Sequence, residues 1–169
     1  GHTDHPRTFN NPGRDKKEMM IYRLALGLGK PMAGICRGGQ FLNVMNGGTM
    51  WQHVDGHSGL GTHKIIDKVT GEIFMATSTH HQMMIRGRGA RLIGVAHESH
   101  VRELHVGGKL IKNDMATNQF NDTEIIYYPK TNCFCFQPHP EFGSKELEDR
   151  YFDYLQEYLL PSNQEKTNA

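Results

Sequence analysis

The chain lacks the sequence features of membrane, secreted and nucleic-acid-binding proteins. No apolar run approaches the ~20 residues that span a bilayer, and the polar N-terminus does not resemble a signal peptide. Lys and Arg, 19 in all, nearly balance 18 Asp and Glu, for a net charge of +1, which offers little attraction for nucleic acid or acidic membranes. Only three cysteines occur, an odd number. We therefore expect a cytoplasmic protein with no nucleic-acid or membrane partner.

The length of 169 residues suits one domain with its own core. We predict a single domain over residues 1–169, with a polar loop at 1–13 and a polar tail at 161–169. The hydrophobic pattern mixes helices with strands, which predicts an α/β sandwich. The helices are expected at residues 15–28, 39–45 and 145–160, the last with Ser144 as N-cap. Single strands are expected at residues 31–35, 124–128 and 133–137, and paired strands at 64–69 with 73–77 and at 91–97 with 101–106.

An apolar stretch leads into Gly34-Ile35-Cys36-Arg37-Gly38, and a helical segment follows. This pattern is typical of a nucleophile elbow, where the reactive side chain lies on a tight strand-to-helix turn. We expect glycine on both flanks because nothing larger fits. A thiol at a helix N-terminus, with an imidazole nearby, is expected to have a lowered pKa. The alternative is a buried structural cysteine.

A candidate base and acid follow about one hundred residues later, in the segment from Gln137 to Glu141. His139 lies between two prolines, which favour an extended backbone that aims the ring. His139 would accept and return the thiol proton, and Glu141 would hold the imidazole in its productive tautomer. The alternative is an ordinary surface His and Glu on a loop.

Three segments together resemble the class I glutamine amidotransferases. They are Gly-Ile-Cys-Arg-Gly-Gly-Gln at 34–40, Ser-Thr-His-His-Gln at 78–82 and Phe-Gln-Pro-His-Pro-Glu at 136–141. The likeness is greatest to the gamma-glutamyl hydrolase branch, which includes gamma-glutamyl-gamma-aminobutyrate hydrolases, and it extends from about residue 14 to 159. It implies a flavodoxin-like, three-layer α/β sandwich with a mostly parallel central sheet. It also implies that the first strands of the family domain are absent, with a glycine-rich turn that supplies part of the oxyanion hole.

The resemblance also implies roles for individual residues. Cys36 would attack the side-chain amide of glutamine or of a gamma-glutamyl compound and form a thioester. The backbone N–H of Arg37 would be one oxyanion donor. Gln40, His81 and Gln82 would contact the substrate, although a helix-face glutamine is the alternative for Gln40. No metal or organic cofactor is implied.

Three functions remain open from the sequence. The first is a free-standing hydrolase whose partner is a small glutamine or gamma-glutamyl substrate. The second is a glutaminase subunit that delivers ammonia to a synthetase subunit, with an upstream domain as a further possible partner. The third, from another class, is a non-catalytic binding or regulatory module on the same fold.

Histidine is abundant, with eleven residues, and His53, His57 and His63 crowd one segment with Asp55. Neither a His-Glu-x-x-His helix nor a Cys-x-x-Cys pair accompanies them. We therefore predict a solvated polar loop at the edge of the cleft, and no metal site.

Overall fold

The computed structural model describes residues 11–99, 101–114 and 121–160. The helices in these segments are α1 (Pro12–Gly27), α2 (Arg37–Met45) and α3 (Lys145–Leu159), with a 3₁₀ turn at Pro140–Phe142. The strands are β1 (Met32–Ile35), β2 (Thr49–Trp51), β3 (His53–Val54), β4 (Ser58–Asp67), β5 (Ile73–Thr79), β6 (Met83–Ile85), β7 (Arg91–Ala96), β8 (Glu103–Val106), β9 (Lys109–Lys112), β10 (Thr123–Tyr128) and β11 (Cys133–Phe136). The predicted α/β class is confirmed.

The main sheet has the order β1-β11-β10-β7-β4-β5. The β1–β11 pair is parallel, and the other pairs are antiparallel. The described sheet is therefore mixed, and the expected parallel pairing is found only where β1 meets β11. Short turns join β4 to β5 and β10 to β11, and such turns allow only antiparallel neighbours.

The predicted pairing of residues 91–97 with 101–106 is wrong. Strand β7 lies between β10 and β4 in the main sheet. Strand β8 pairs instead with β3 and β9, in a separate three-stranded sheet. The alternation of apolar and polar residues identifies both segments as strands, but it does not show which strands they pair with.

Successive side chains of β11 point to opposite faces of the main sheet, and each face is covered by a separate layer. Phe134 and Phe136 lie on the face covered by α3, in a core with Leu147 and Tyr151. Cys133 and Cys135 point to the opposite face, in a second core that includes residues of α1 and α2. A strand buried on both faces reads as a continuous apolar run, as β11 does.

Helix α1 begins earlier than predicted. The side chain of Asn11 accepts a hydrogen bond from Arg14 N at 3.0 Å, and Pro12 follows at the first helical position, where proline is favoured. The predicted loop is therefore wrong at Pro12 and Gly13. Residues 1–10 of that loop, and the predicted tail at 161–169, lie outside the described residues.

The apolar residues of α1 are mostly exposed. Tyr22 is buried against α2, but Met20, Ile21, Leu24 and Leu28 are each more than 60 % exposed. Among these five residues only Tyr22 is buried. This helix lies on the side of β1 where the main sheet ends.

Helix α3 begins as predicted, with Ser144 Oγ accepting from Leu147 N at 3.3 Å. Among the helices of the described segments, none is both long and apolar enough to cross a bilayer.

Candidate active site

Cys36 lies on the turn between β1 and α2. Its φ of 48° is in the left-handed region, which a non-glycine residue enters at a cost of about 1–3 kcal/mol. The carbonyl of Cys36 accepts from Gln40 N at 2.9 Å, the first hydrogen bond of α2, and its N–H donates to Phe136 O at 2.7 Å. These contacts hold the strained conformation and fix the thiol at the N-terminus of α2.

The glycines around Cys36 differ in how much space a side chain would have. A Cβ on Gly34 would overlap the carbonyl group of Gly38 and lie 2.5 Å from Gly39 N. A Cβ on Gly39 would lie 2.9 Å from Gly34 O. A Cβ on Gly38 would meet nothing within 4 Å. The expectation that nothing larger fits on either flank therefore holds for Gly34 and is wrong for Gly38.

The carboxyl ends of β1 and β11 bring the motifs together. These strands are parallel neighbours, with Ile35 opposite Phe136, so the residues after each strand emerge at the same sheet edge. Gln137 follows β11 directly, and its side chain donates from Nε2 to Cys36 Sγ at 3.5 Å. His139 comes two residues later.

The backbone of His139 is fixed by a residue of β5. Its N–H donates to Thr77 Oγ1 at 2.7 Å, and Thr77 Oγ1 donates to His139 O at 3.3 Å. The ring stacks on Phe142, with centroids 5.3 Å apart. The short loop after β11 is therefore tied to the far side of the sheet.

The carboxylate of Glu141 contacts the His139 ring. Its Oε1 lies 2.7 Å from His139 Nδ1, so Nδ1 carries the proton and Nε2 is left for other contacts. Partial burial favours a higher pKa for the Glu141 carboxyl, but the hydrogen bond from His139, a backbone hydrogen bond and the charge of His139 together lower the pKa below its usual value. The carboxylate is thus the ionised partner that an imidazolium needs.

The surroundings of Cys36 raise the pKa of its thiol, contrary to the sequence expectation. Burial is the main cause, and the charges of Glu141 and Glu124 add to it. The backbone N–H of Arg37 and the side-chain amide of Gln137 act in the other direction, without overcoming burial. The helix N-terminus alone therefore does not make this cysteine a thiolate.

The side chain of Arg37 points away from the thiol. Its guanidinium forms ion pairs with Asp15 at 2.5 Å and Glu18 at 2.6 Å on α1. The group of Arg37 that interacts with the Cys36 thiol is its backbone N–H.

Gln40 is buried, and its amide is engaged within the protein. Its Nε2 donates to Gln137 Oε1 at 3.0 Å and lies 3.4 Å from Gln82 O. Gln137 thereby links Gln40 to Cys36.

A cavity of about 200 Å³ opens beside the thiol. Its walls are Cys36, Arg37, Gln40, Thr79, His80, His81 and Gln82. A wider cavity of about 370 Å³ lies between α1 and α2 and shares Arg37, Gln40 and Gln82 with it. The structure thus places the three residues predicted to contact substrate, Gln40, His81 and Gln82, around one opening next to Cys36.

His57 and His63 are buried, which corrects the prediction of a solvated loop. They are 0 % and 4 % exposed and surround the buried carboxylate of Glu124 together with His80. Burial alone would raise the Glu124 pKa, but the nearby His80 and His63 hold it well below its usual range. Asp55, by contrast, accepts hydrogen bonds from the backbone of Arg102 and Glu103.

Sequence reasoning assigned no role to Gln137, Thr77 or Glu124. Gln137 lies within the closing motif, so its place beside the thiol could have been inferred. Thr77 and Glu124 are ordinary strand residues, and only the sheet order brings them to the site.

Comparison with known proteins agrees with this geometry. Residues 2–141 match the family described as Peptidase C26. "Putative glutamine amidotransferase Rv2859c" of Mycobacterium tuberculosis is 55% identical over 60 residues, which are 34% of this chain and 18% of that protein. "Putative glutamine amidotransferase-like protein YvdE" of Lactococcus lactis is 33% identical over 105 residues, 52% of this chain and 44% of that protein. The chain thus spans less than half the length of these relatives.

Solved structures show the same fold at low sequence identity. A glutamine amidotransferase of Thermotoga maritima superposes with a TM-score of 0.54 at 13% identity, over 90% of this chain and 57% of the other. One from Methylobacillus flagellatus gives a TM-score of 0.58 at 15% identity, over 87% and 52%. These neighbours confirm the flavodoxin-like amidotransferase fold. With the family match over residues 2–141, they show that the chain belongs to the Peptidase C26 family of glutamine amidotransferase-like proteins.

Proposed function

We propose that the chain carries the catalytic centre of a cysteine-dependent hydrolase, which cleaves the side-chain amide of glutamine or of gamma-glutamyl compounds. One observation carries the proposal: Cys36 lies on a strained elbow beside Gln137, at the sheet edge where the His139–Glu141 pair emerges. Strained backbone is retained where the surrounding structure over-determines it, and functional sites are where it concentrates. Membership of the family supports amide hydrolysis in general.

The proposed reaction begins with proton transfer. His139 Nε2 accepts the proton of the Cys36 thiol, and the sulfur attacks the amide carbon. The oxygen that becomes negative is stabilised by the Arg37 backbone N–H. The C–N bond then breaks, His139 returns the proton to the leaving nitrogen, and a thioester remains on Cys36.

Water completes the cycle. His139 accepts a proton from the water as it attacks the thioester carbonyl, and the carbon–sulfur bond breaks. The carboxylic acid leaves, and Cys36 recovers its proton from His139. Glu141 keeps the ring oriented and stabilises the imidazolium in both halves.

Residues around the cavity support a small amino-acid substrate. Gln40, His81 and Gln82 line the cavity next to the thiol. These side chains offer hydrogen bonds to the charged amino-acid end of a glutamyl group. We propose the gamma-glutamyl hydrolase branch on the Ser78–Gln82 and Gly34–Gln40 motifs.

A glutaminase subunit that serves a synthetase is the alternative. The fold neighbours include a putative GMP synthase component from Thermoplasma acidophilum, with a TM-score of 0.54, and PurLQS of Thermotoga maritima, with a TM-score of 0.51. At 14% and 17% identity these neighbours support the fold alone. A synthetase-dependent enzyme would gain glutaminase activity on addition of the synthetase.

We also propose that a further region, upstream or on another chain, covers α1 and the outer edge of β1. The support is local: β1 is the edge strand of the main sheet, and α1 exposes apolar residues such as Leu24. This region would supply the second oxyanion donor. Loss of one such donor typically lowers the rate about 10²–10³-fold, so the chain alone would turn over slowly.

Labelling with a glutamine-mimicking diazo-ketone tests the proposed site, because it requires nucleophilic attack but not turnover. Intact mass should show one adduct on the wild-type chain and none on Cys36→Ala. Cys135→Ala is the matched control, since Cys135 is buried in the core and should leave the adduct in place. Full labelling of Cys36→Ala would refute the assignment of the nucleophile.

Addition of excess glutamine distinguishes a glutamine-binding cysteine from a merely reactive one. Glutamine should slow the labelling, because both compounds would occupy the same cavity. Labelling of Cys36 at an undiminished rate would favour the non-catalytic module over the hydrolase.

A further inference from the structure

A second cluster of titratable side chains lies inside the protein, and one of its members, His80, also lines the cavity beside Cys36. Glu124 on β10 is 0 % exposed, and three histidine nitrogens converge on its Oε1. His57 Nδ1 and His80 Nε2 lie 3.4 Å from this oxygen, and His63 Nε2 lies 3.2 Å from it. The proposed hydrolysis uses none of these groups.

Hydrogen bonds fix the tautomers of two of these rings. His57 Nε2 lies 3.0 Å from Asp122 Oδ2, so the proton is on Nε2, and Nδ1 presents a lone pair. His80 Nδ1 lies 2.9 Å from Gln82 O, which can only accept, so its proton is on Nδ1. With neutral rings, the lone pairs of His57 and His80 both face a carboxylate oxygen.

Several buried atoms of the cluster lack a well-formed hydrogen bond among the described residues. They are His57 Nδ1, both ring nitrogens of His63, His80 Nε2 and both oxygens of Glu124. A buried acceptor without a donor costs free energy, and here several acceptors share one small space. A positive ion between them would remove that cost.

We propose that His57 Nδ1, His63 Nε2 and a Glu124 oxygen bind a divalent transition metal, with Zn²⁺ the best match. Zinc binds nitrogen and carboxylate ligands at about 2.0–2.2 Å, so neighbouring ligand atoms of a tetrahedral site lie about 3.3–3.5 Å apart. The distances from Glu124 Oε1 to the two histidine nitrogens, 3.4 and 3.2 Å, are close to this edge. One ligand atom from each residue lies within 4.8 Å of the others.

The hydrogen bonds around His57 are those expected of a metal-binding histidine. Asp122 accepts from the ring nitrogen that faces away from the site, and Ser99 Oγ donates to Asp122 at 2.9–3.0 Å. Metal-binding histidines almost always donate their other N–H to a carboxylate, a carbonyl or water in this way. His80 Nε2 lies close to the same glutamate and could complete the coordination after a small shift.

The proposed ion would have a structural role. His63 also lines a cavity of about 180 Å³ with Lys64, Met75 and Glu98, and its two ring nitrogens are buried. The ligands join the start of β4 to β10, and His80 lies in the loop whose next residues, His81 and Gln82, line the cavity beside Cys36. The metal would therefore hold that wall of the candidate active site and take no part in bond breaking.

Metal titration of the chelator-stripped chain tests the proposal without any activity assay. Elemental analysis should find about one zinc per chain after dialysis, and Co²⁺ should give the visible absorption of a tetrahedral site with nitrogen and oxygen ligands. The unfolding temperature should rise with added Zn²⁺, because the ion binds the folded chain. A folded wild-type chain that takes up no metal would overturn the proposal.

Variants place the metal within the chain. His63→Gln and His57→Gln should abolish uptake, and Asp122→Asn, which keeps the shape of the side chain, should weaken the affinity about 10–100-fold. His105→Gln, a histidine on β8 outside the cluster, and Cys36→Ala should bind as the wild type does. Circular dichroism checks that each variant folds.

Other outcomes would contradict the site. Undiminished uptake by folded His63→Gln would place the metal elsewhere. A sulfur-to-cobalt absorption band in the spectrum of the wild-type chain would assign the metal to a cysteine, and no variant is needed for this measurement. The diazo-ketone test is run on the chelator-stripped chain, so a metal bound to Cys36 cannot block the labelling, and the two proposals can fail separately.

Discussion

The two glycines that flank Cys36 at equal distance should respond oppositely to alanine. In Gly34→Ala the new methyl group would overlap the carbonyl of Gly38 and approach Gly39 N to 2.5 Å. These are backbone atoms at the start of α2, so no side chain can turn aside to make room. In Gly38→Ala the methyl group would have open space.

The expected difference in the free energy of unfolding follows from these contacts. Overpacking typically costs 1–3 kcal/mol, and a clash with fixed backbone belongs at the upper end, about 3 kcal/mol. Gly38 lies in α2 without a positive φ, so alanine there should stabilise the helix by about 0.5–1 kcal/mol. The two variants should differ by about 4 kcal/mol, a large part of the stability of a typical domain.

Urea unfolding can measure this difference through fluorescence. Trp51 is the single tryptophan and is 7% exposed, so it reports the loss of packing. With a slope of about 2 kcal/mol per molar urea, the midpoint of Gly34→Ala should fall by about 1.5 M, and that of Gly38→Ala should rise slightly. Gly34→Ala should also lose diazo-ketone labelling, because the elbow cannot close. Equal midpoints for the two variants would refute the steric reasoning.

Three further predictions concern the thiol, the loop after β11 and the last helix. Because burial raises the Cys36 pKa, its alkylation by iodoacetamide should keep accelerating above the usual cysteine pKa of about 8.5, whereas a plateau near neutral pH would contradict this. Thr77→Val should leave the His139 N–H without its acceptor, destabilise the fold by about 1–3 kcal/mol in urea and slow labelling, and unchanged labelling would argue against this tether. Ser144→Ala removes the cap on Leu147 N and should cost about 1 kcal/mol in urea while labelling continues at the wild-type rate, so a loss of labelling would link α3 to the site.

Local chemistry made several elements predictable from sequence, and distant pairing made others unpredictable. Ser144 caps α3 because the serine side chain competes locally for a backbone N–H, and this needs no tertiary knowledge. The hairpin of β4 and β5 was likewise predictable, because Thr70-Gly71 lies in the short gap between two strand-like runs. The partners of β7 were not, because β10 reaches β7 from about thirty residues further along the chain.

The motif residues of the site could be predicted from the sequence, whereas the burial of the histidine cluster could not. Cys36, His139 and Glu141 lie in recognisable motifs, and their roles remain predictions, of which the labelling experiment tests that of Cys36. The segment around His57 was wrongly predicted to be a solvated loop, because histidine next to aspartate and glycine is typical of such loops. Its burial depends on Glu124 and Asp122, two acidic residues in a strand region some sixty-five residues away, which give the histidines charged partners in the interior.

The raised pKa of Cys36 constrains how the proposed reaction can start. Burial and the charges of Glu141 and Glu124 both oppose the thiolate, so at neutral pH the free enzyme holds a neutral thiol. The proposed attack therefore needs a base that removes the thiol proton while the substrate is bound. The ionised Glu141 keeps the proton of His139 on Nδ1, so His139 Nε2 is free to act as that base. The same carboxylate that disfavours the thiolate at rest then stabilises the imidazolium once the proton has moved. If the proposed reaction is right, we expect a site arranged in this way to react with a bound amide in preference to oxidants and alkylating agents that attack free thiolates.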